Sequence, residues 1–298
     1  MSARRPAAAG TQPHLQTKDT SMQTDETPVS RVGVIGAGRM GTPIIGHLAR
    51  AGFQVLVSER NPARREEVES LKATWCEDLS RLARQAQVVL ICVGYDAELR
   101  ELLQEDGALM TQAPQDTIAV VLSTVHPSTM EELAARAQGR GVHVVDSTVC
   151  RGAWAADAGT LLTFIAGDDA IVQRLRPVLA AYSSDIVHSG PLGTAQVSKA
   201  ANNLILWACL IASHEGLALA KRYGVDVDAL RAALLTSTAS NGALADWGKQ
   251  SMAWAQDDLK IVLEMAEACN MALPQSGLVK ELCRSLKSNR YNLDKYGS

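Results

Sequence analysis

The sequence predicts an α/β protein in which a doubly wound, largely parallel sheet is followed by an all-helical domain. Short apolar runs alternate with helical patterns up to about residue 190, which is typical of such a sheet. A glycine-rich turn joins the first strand to the first helix, and strand patterns stop after residue 190. We therefore predict a sheet domain over residues 29–190 and a helical domain over residues 191–298.

The composition narrows the class of protein. A chain of 298 residues accommodates about two domains. The net charge of −3 argues against nucleic acid or a membrane surface as a partner. The six cysteines show neither CxxC nor Cys/His spacing, so we expect free thiols, no metal site and a cytoplasmic location. Residues 1–28 contain few apolar side chains and are expected to form a disordered tail.

The first predicted strand, at residues 32–35, runs into a turn of the form G-x-G-x-x-G and then into a helical pattern. Strand, glycine turn and helix together are the context of a dinucleotide-binding Rossmann fingerprint. In this reading the phosphates lie on the free N–H groups at the start of the helix. The predicted cofactor-binding residues of the turn are Gly36, Ala37, Gly38, Arg39, Met40 and Gly41.

The second predicted strand, at residues 54–57, is followed by two residues with opposite implications for the cofactor. Glu59 lies where a carboxylate binds the ribose 2′-hydroxyl of NAD. Arg60 could instead accept the 2′-phosphate of NADP, which Glu59 would repel. The sequence favours NAD and leaves NADP open.

The remaining elements of the sheet domain follow from their apolar patterns. Continuous apolar runs predict strands covered on both faces, and three-to-four spacing predicts helices. The first proline of the helical patterns, Pro127, fits a first turn, whereas Pro177 is expected to end or kink its helix. The predicted strands are residues 88–93, 118–122, 142–145 and 161–166, and the predicted helices are residues 63–71, 98–103, 127–138 and 170–181.

The helical domain is predicted to begin with one long helix over residues 194–223, about 45 Å in length. Gly224 provides its end. Apolar residues surround most of this helix, which indicates burial on several sides and suggests a homodimer contact. Its most apolar stretch, residues 204–212, is about half the length that spans a bilayer. Shorter helices are predicted at residues 226–235, 244–253, 257–270 and 274–286.

The long helix carries two polar residues whose chemistry suits proton transfer to or from a substrate. Lys199 and Asn203 are four positions apart and project from one helix face. An amine of lowered pKa can take the hydroxyl proton while hydride leaves the carbon. A surface lysine is the usual alternative, but the neighbours here are Ala, Val, Ser and Asn without an acid.

Four stretches beyond the glycine turn carry a resemblance to a known family. They are Ser123-Thr124-Val125-His126-Pro127, Asp146-Ser147-Thr148-Val149-Cys150-Arg151-Gly152, the segment from Gly190 through Lys199 to Asn203, and Asp257-Asp258-Leu259. With the turn, they resemble the β-hydroxyacid dehydrogenases, which are related to 6-phosphogluconate dehydrogenase, over about residues 31–290. The resemblance implies that Lys199 is the general acid/base and that Asn203 orients the substrate.

The resemblance also implies roles at the strand ends. Ser123 is expected to contact the substrate, and Val93 and Thr124 the cofactor, although Ser or Thr there could also simply cap a helix. Cys150, Arg151 and Gly152 occupy the stretch that holds the substrate carboxylate in the family. The first two depart from the family's Ser and Gly. Arg151 suits an anionic group, or it could bond to an acid such as Asp157.

Two further positions concern the substrate pocket. Asp257 stands where the family usually has a lysine, so one positive charge is lost from the cleft. Asn241 is expected to line the pocket from the helical domain.

The predicted function is an NAD(P)-dependent oxidoreductase that acts on a small, anionic β-hydroxy acid or its aldehyde. An imine reductase is the nearest alternative, although those relatives generally lack the lysine. The altered stretch around Arg151 and the presence of Asp257 leave open a non-catalytic protein that binds dinucleotide as a sensor or scaffold.

Overall fold

The computed structural model describes residues 28–94, 96–104 and 106–297. The predicted tail therefore lies outside the described residues, except for Pro28. Within these ranges the strands are β1 (Arg31–Ile35), β2 (Gln54–Ser58), β3 (Thr74–Trp75), β4 (Val88–Ile91), β5 (Thr117–Val121), β6 (Val142–Cys150), β7 (Leu161–Ala166) and β8 (Ser183–Gly190). They form one sheet in the order β3-β2-β1-β4-β5-β6-β7-β8. Of the strand pairs, only β6 with β7 is antiparallel, so the predicted fold class is confirmed.

Helices cover both faces of the sheet and, joined by loops, form the part of the described chain that follows it. Those of the sheet domain are α1 (Gly41–Arg50), α2 (Arg65–Ser70), α3 (Leu79–Gln85), α4 (Asp96–Leu102), α5 (Ala108–Gln112), α6 (Pro127–Gln138), α7 (Gly152–Ala158) and α8 (Asp169–Ala180). Those that follow are α9 (Thr194–Arg222), α10 (Val227–Leu234), α11 (Gly242–Ala245), α12 (Ala255–Ala268) and α13 (Pro274–Leu286).

The sheet is buried between two apolar layers. Along β1, Val32 and Val34 point into the layer that contains α1 and α8, whereas Ile35 points into the layer that contains α3 to α6. Successive side chains of a strand point to opposite faces, and β1 and β4 are accordingly apolar on both. The two layers hold the carboxyl ends of β1, β4, β5 and β6 at one edge of the sheet.

Helix α9 is the centre of the helical domain. Trp207 and Leu210 on α9 pack with Leu259 on α12 and Val279 on α13 in one buried cluster. By length and composition α9 could also cross a membrane, but the core helix of a soluble protein meets the same criteria. Its first turns also contact β6, β7 and β8, so α9 connects the sheet to the helical core.

Several elements differ from the sequence prediction. β3 contains two residues, and β8 has a polar sequence at the sheet edge, so neither has the apolar pattern used to predict strands. The short helices α3, α5 and α7 were missed for the same lack of a long periodic pattern. β6 extends to Cys150, because the residues beyond 145 pair with β7.

Two predictions at helix ends were wrong. Pro177 does not end α8, which continues to Ala180 because its apolar face, including Val178 and Leu179, is buried, while a kink at Pro177 stays a prediction. The helix predicted at residues 244–253 is limited to α11. Gly248 has a φ of 91° and Met252 a φ of 56°, and both values leave the helical region. The Tyr291 hydroxyl binds the main chain of Gln250 in place of a helical partner.

A buried histidine lies at the centre of the helical domain. The Nδ1 atom of His214 is 2.8 Å from the Leu210 carbonyl oxygen, and Nε2 is 3.0 Å from the main-chain N of Tyr291. Nδ1 therefore donates and Nε2 accepts, which only the neutral ring can do. Burial lowers the pKa of His214, although the bond to Leu210 opposes this shift.

The lowered pKa of His214 predicts a loss of stability in acid. The folded state favours the neutral ring, so the unfolded chain binds more protons once the pH falls below about 6.5. The free energy of unfolding should therefore fall with decreasing pH below that value, by up to about 1.4 kcal/mol per pH unit. Urea titrations of the wild type and of His214→Gln at several pH values from neutral to mildly acidic measure this. Equal slopes for the two proteins would contradict the assignment.

Candidate functional site

The glycine turn between β1 and α1 has the geometry of a phosphate cradle. Gly36 has a φ of 95°, and a Cβ there would lie 2.4 Å from the Cys92 carbonyl oxygen. A Cβ on Gly41 would lie 1.9 Å from the Gly36 carbonyl oxygen. A Cβ on Gly38 would meet no atom within 4 Å, so the space beside this backbone is open. The residues thus fit a dinucleotide, whose pyrophosphate can approach Gly38 and the first N–H groups of α1.

The other residues of the turn bind to the protein itself. Arg39 makes a two-pronged ion pair with Asp157 at the end of α7, with N–O distances of 2.6 and 2.7 Å. Met40 is half-buried against the core. The Asp157 that was considered as a partner for Arg151 therefore pairs with Arg39 instead.

Glu59 closes the cradle at the end of β2. Its carboxylate accepts a hydrogen bond from the Ala37 N–H at 2.7 Å and another from the Asn61 N–H at 2.9 Å. Arg60 is directed to α4, where it pairs with Glu98 at 3.3 Å and Glu101 at 3.0 Å. Glu59 is thus adjacent to the glycine turn, and Arg60 is held on the exposed surface.

The loops after β4 and β5 are joined at the same edge of the sheet. The hydroxyl of Ser123 donates to the Val93 carbonyl oxygen at 2.7 Å, and Thr124 is half-buried beside it. Gln196 on α9 holds this loop, since its amide donates to the Ser123 carbonyl and accepts from the Val125 N–H, both at 3.0 Å. Sequence reasoning missed Gln196, which belongs to the Gly190–Asn203 stretch.

A buried carboxylate determines where α9 begins. Asp146 on β6 accepts hydrogen bonds from the N–H groups of Gly193 at 2.8 Å and Gln196 at 3.0 Å. Burial raises the pKa of Asp146, and these N–H groups oppose that rise. Free N–H groups at a helix start favour a negative charge. Asp146 therefore fixes the start of α9 against β6 and so sets the position of Lys199.

Lys199 lies at the carboxyl end of β6. Its Nζ donates to the Val149 carbonyl oxygen at 2.7 Å and is 3.8 Å from the sulfur of Cys150. Cys150 is buried, and burial raises the pKa of its thiol. The structure thus brings Lys199 to the stretch that the sequence proposed for substrate binding.

Asn203 lies one turn further along α9 and is buried. It hydrogen-bonds Asp258 of α12, and the indole N–H of Trp207 also donates to that carboxylate at 3.1 Å. Burial raises the pKa of Asp258, while the charge of Lys199 and the two hydrogen bonds lower it. Asp258 is the second site residue that sequence reasoning did not select. Its match to the family's Asp-Leu pair was the available signal.

The guanidinium of Arg151 binds other protein groups and is not directed to Lys199. It has a φ of 81°, and its guanidinium donates to three acceptors: the Thr160 carbonyl, the Ser184 hydroxyl and the Asp185 carboxylate. Gly152, which follows it, is exposed at the start of α7. The backbone of these residues is at the strand end, while the charged group is directed to β8.

Asn241 has a local role in the structure. Its side chain accepts from the Leu244 N–H at 2.9 Å, which caps α11, and donates to the Ala239 carbonyl at 2.9 Å. Asp257 is exposed in the first turn of α12, next to Asp258. Among the residues that the structure describes, no three His, Cys, Asp or Glu side chains are grouped so that they could hold a metal ion.

Residues before α12 contact the sheet domain on two sides. Lys249 places its Nζ 4.9 Å from the ring centroid of Trp154 on α7, and it pairs with Asp246 at 2.8 Å. Exposed ion pairs and cation–π contacts of this kind each contribute about 1 kcal/mol or less. At the other side, the ring of Trp254 is 3.7 Å from the Cβ position of Gly94, after β4.

Comparison with known families accounts for nearly all of the two-domain region. The family described as the NAD binding domain of 6-phosphogluconate dehydrogenase matches residues 31–190. The one described as NAD-binding of NADP-dependent 3-hydroxyisobutyrate dehydrogenase matches residues 193–295.

Individual relatives have low sequence identity to this chain, but the alignments cover more than 90% of each relative. The chain is 29% identical over 270 residues to 2-hydroxy-3-oxopropionate reductase of Escherichia coli, covering 87% of this chain and 92% of the relative. A structure of Mycobacterium tuberculosis 3-hydroxyisobutyrate dehydrogenase with L-serine has a TM-score of 0.79 at 22% identity and covers 89% and 96% of the two chains. An imine reductase from Myxococcus stipitatus with NADP+ has a TM-score of 0.64 at 20% identity and covers 89% and 97%.

Proposed function

Because this chain belongs to the NAD(P)-dependent β-hydroxyacid dehydrogenase family, we propose that it transfers hydride between nicotinamide and a small β-hydroxy acid or its aldehyde. One observation carries this proposal: the Lys199 amine and the Asn203 amide lie together at the sheet edge that also holds the glycine turn and Ser123. In an open α/β sheet, ligands bind in the crevice outside the carboxyl ends of the strands.

Each residue of the site has a separate role in the proposed reaction. A bound nicotinamide would accept the hydride from the hydroxyl-bearing carbon or return it. Lys199 takes the hydroxyl proton as the hydride leaves, and it returns that proton in the reverse direction. Asn203 donates to the same oxygen and orients it, while Asp258 accepts a hydrogen bond from the Asn203 amide and holds that amide in place. Ser123 and the backbone of residues 150–152 border the substrate.

A panel of substrates tests the activity. Absorbance of the reduced cofactor is followed with small β-hydroxy acids, their sulfonate analogues and cyclic imines, each with NAD and NADP. Turnover of a hydroxy acid supports the proposal. Turnover of imines alone would assign the protein to imine reduction, in line with the shared fold. Tight cofactor binding without any turnover would favour a sensor.

Cofactor preference should depend on Glu59. Its carboxylate lies against the glycine turn, where it can accept a ribose 2′-hydroxyl but repels a 2′-phosphate, so we expect NAD to be preferred. Glu59→Gln removes the charge at constant size, and it should raise the ratio of kcat/KM for NADP to that for NAD about tenfold. The exposed Glu67→Gln serves as the control, and an unchanged ratio in Glu59→Gln would exclude this role.

The proposed assembly is a homodimer in the cytoplasm. An exposed apolar stripe runs along α9 through Val197, Ile205, Leu219 and Tyr223. Beside its first turns opens an apolar groove of about 440 Å³, bordered by Pro127, Leu204 and Met271. A second copy of the chain would bury both, and light scattering should show twice the mass of one chain. All six cysteines are free thiols, which suits a reducing compartment.

A further inference from the structure

The segment of residues 249–254, here called the crossing segment, contacts the sheet domain at both of its ends. Its first residue, Lys249, contacts Trp154 in the region after β6, and its last, Trp254, contacts Gly94 after β4. In the sheet, β5 lies between β4 and β6. The two ends of the segment thus contact the regions that follow the two strands flanking β5, and Ser123 follows β5 itself.

The helical domain holds this segment in place. The hydroxyl of Tyr291 accepts from the Gln250 N–H and donates to oxygens of Gln250, while Met252 is buried. α12 follows immediately and carries Asp258, which bonds Asn203. The residue after Lys249 is thus held by the helical domain, and Trp154, which Lys249 contacts, is on α7, directly after residues 150–152 of the proposed substrate stretch.

Arg151, Lys199 and Lys249 differ in how firmly the protein binds them. Arg151 donates to three acceptors, among them the Asp185 carboxylate. Lys199 donates to a main-chain carbonyl at 2.7 Å and has the proposed proton-transfer role. Lys249 is half-exposed, and its described partners are the face of Trp154 and one nearby acid, Asp246. Both contacts of Lys249 are exposed and contribute about 1 kcal/mol or less each, so Lys249 can turn to a ligand at small cost.

We propose that Lys249 binds the acid group of the substrate and is the charge that selects anionic substrates in this chain. The substrate class is then a small β-hydroxy carboxylate or sulfonate whose acid group faces the crossing segment while its hydroxyl faces Lys199. The ring of Trp154 would cover the intervening carbons. Asp257 stands where the family usually has a lysine, and Lys249 thereby supplies the missing positive charge from another position. This inference rests on the proposed function, because that function supplies the reacting centre.

Calorimetric titration tests the site without requiring turnover. Malonate is a suitable probe, because it carries an acid group at each end of a three-carbon chain. It is titrated into enzyme saturated with NAD+. We expect Lys249→Met to raise the Kd of malonate at least about tenfold and Lys249→Arg to change it less than about threefold. Lys260→Met makes the same charge change on the exposed face of α12 and should leave the Kd unchanged.

Three results would overturn the proposal: no binding of malonate by the wild type, an unchanged Kd in Lys249→Met, or a larger loss in Arg151→Met. Thermal unfolding checks that each variant is folded, and Lys249→Gln replaces the Met variant if that one is not. Binding that depends on Lys249, in an enzyme that oxidises no hydroxy acid, would refute the proposed function and leave the anion site standing. With an active substrate, Lys249→Met should raise KM while kcat changes little.

Discussion

Replacing Lys199 by alanine should lower kcat at least about 1,000-fold while cofactor binding stays unchanged. The amine is the group at the end of β6 that can exchange a proton with a substrate hydroxyl, and its contact to the Val149 carbonyl places it there. Alanine leaves no group to replace it. Stopped-flow or steady-state absorbance of the reduced cofactor measures the rate, and fluorescence titration measures cofactor binding.

A matched substitution separates proton transfer from charge. Lys199→Arg keeps the positive charge, but a guanidinium does not release its proton near neutral pH. It should therefore be almost as inactive as the alanine variant if Lys199 moves a proton. If Lys199→Ala kept its turnover within about tenfold of the wild type, Lys199 would not be the acid/base. High activity in Lys199→Arg alone would reduce its role to electrostatic stabilisation.

Asp258→Asn should lower kcat about 10- to 100-fold without changing the size of the side chain. The carboxylate accepts from both Asn203 and the Trp207 indole, and an amide cannot accept equally from two donors. Asn203 would then lose its fixed orientation.

A control on the same helix makes this result specific. Glu264→Gln on α12 removes an exposed carboxylate that pairs with Lys260, and it should leave kcat unchanged. A kcat of Asp258→Asn within about threefold of the wild type would show that Asp258 does not orient Asn203.

Local patterns in the sequence were sufficient for the fold class and for part of the site. Continuous apolar runs identified the strands that are buried on both faces, β1, β4 and β5, because burial itself requires those residues. The glycine turn was identifiable because the positive φ of Gly36 and the close backbone approach at Gly36 and Gly41 permit no other residue. Helical spacing placed Lys199 and Asn203 on one face.

Sequence patterns fail to predict secondary structure where tertiary packing, rather than local composition, determines it. The polar edge strand β8 pairs because β7 presents free main-chain groups, and no property of its own side chains indicated it. Pro177 stayed within α8 because the buried apolar face outweighs one lost hydrogen bond. Most of the helix predicted at residues 244–253 does not form, and the crossing segment occupies its second half. There Tyr291, some 40 positions away, binds the main chain of Gln250.

The sequence by itself determined the two-domain α/β architecture, the glycine turn and the pairing of Lys199 with Asn203, since each depends on residues that are close along the chain. The tertiary structure alone decided which charges surround that pair. Asp258 reaches Asn203 from α12, Asp185 binds Arg151 from β8, and Lys249 reaches Trp154 across the cleft. Each of these contacts joins residues more than 30 positions apart. Electrostatic interactions depend on distance in space, which spacing along the chain does not specify.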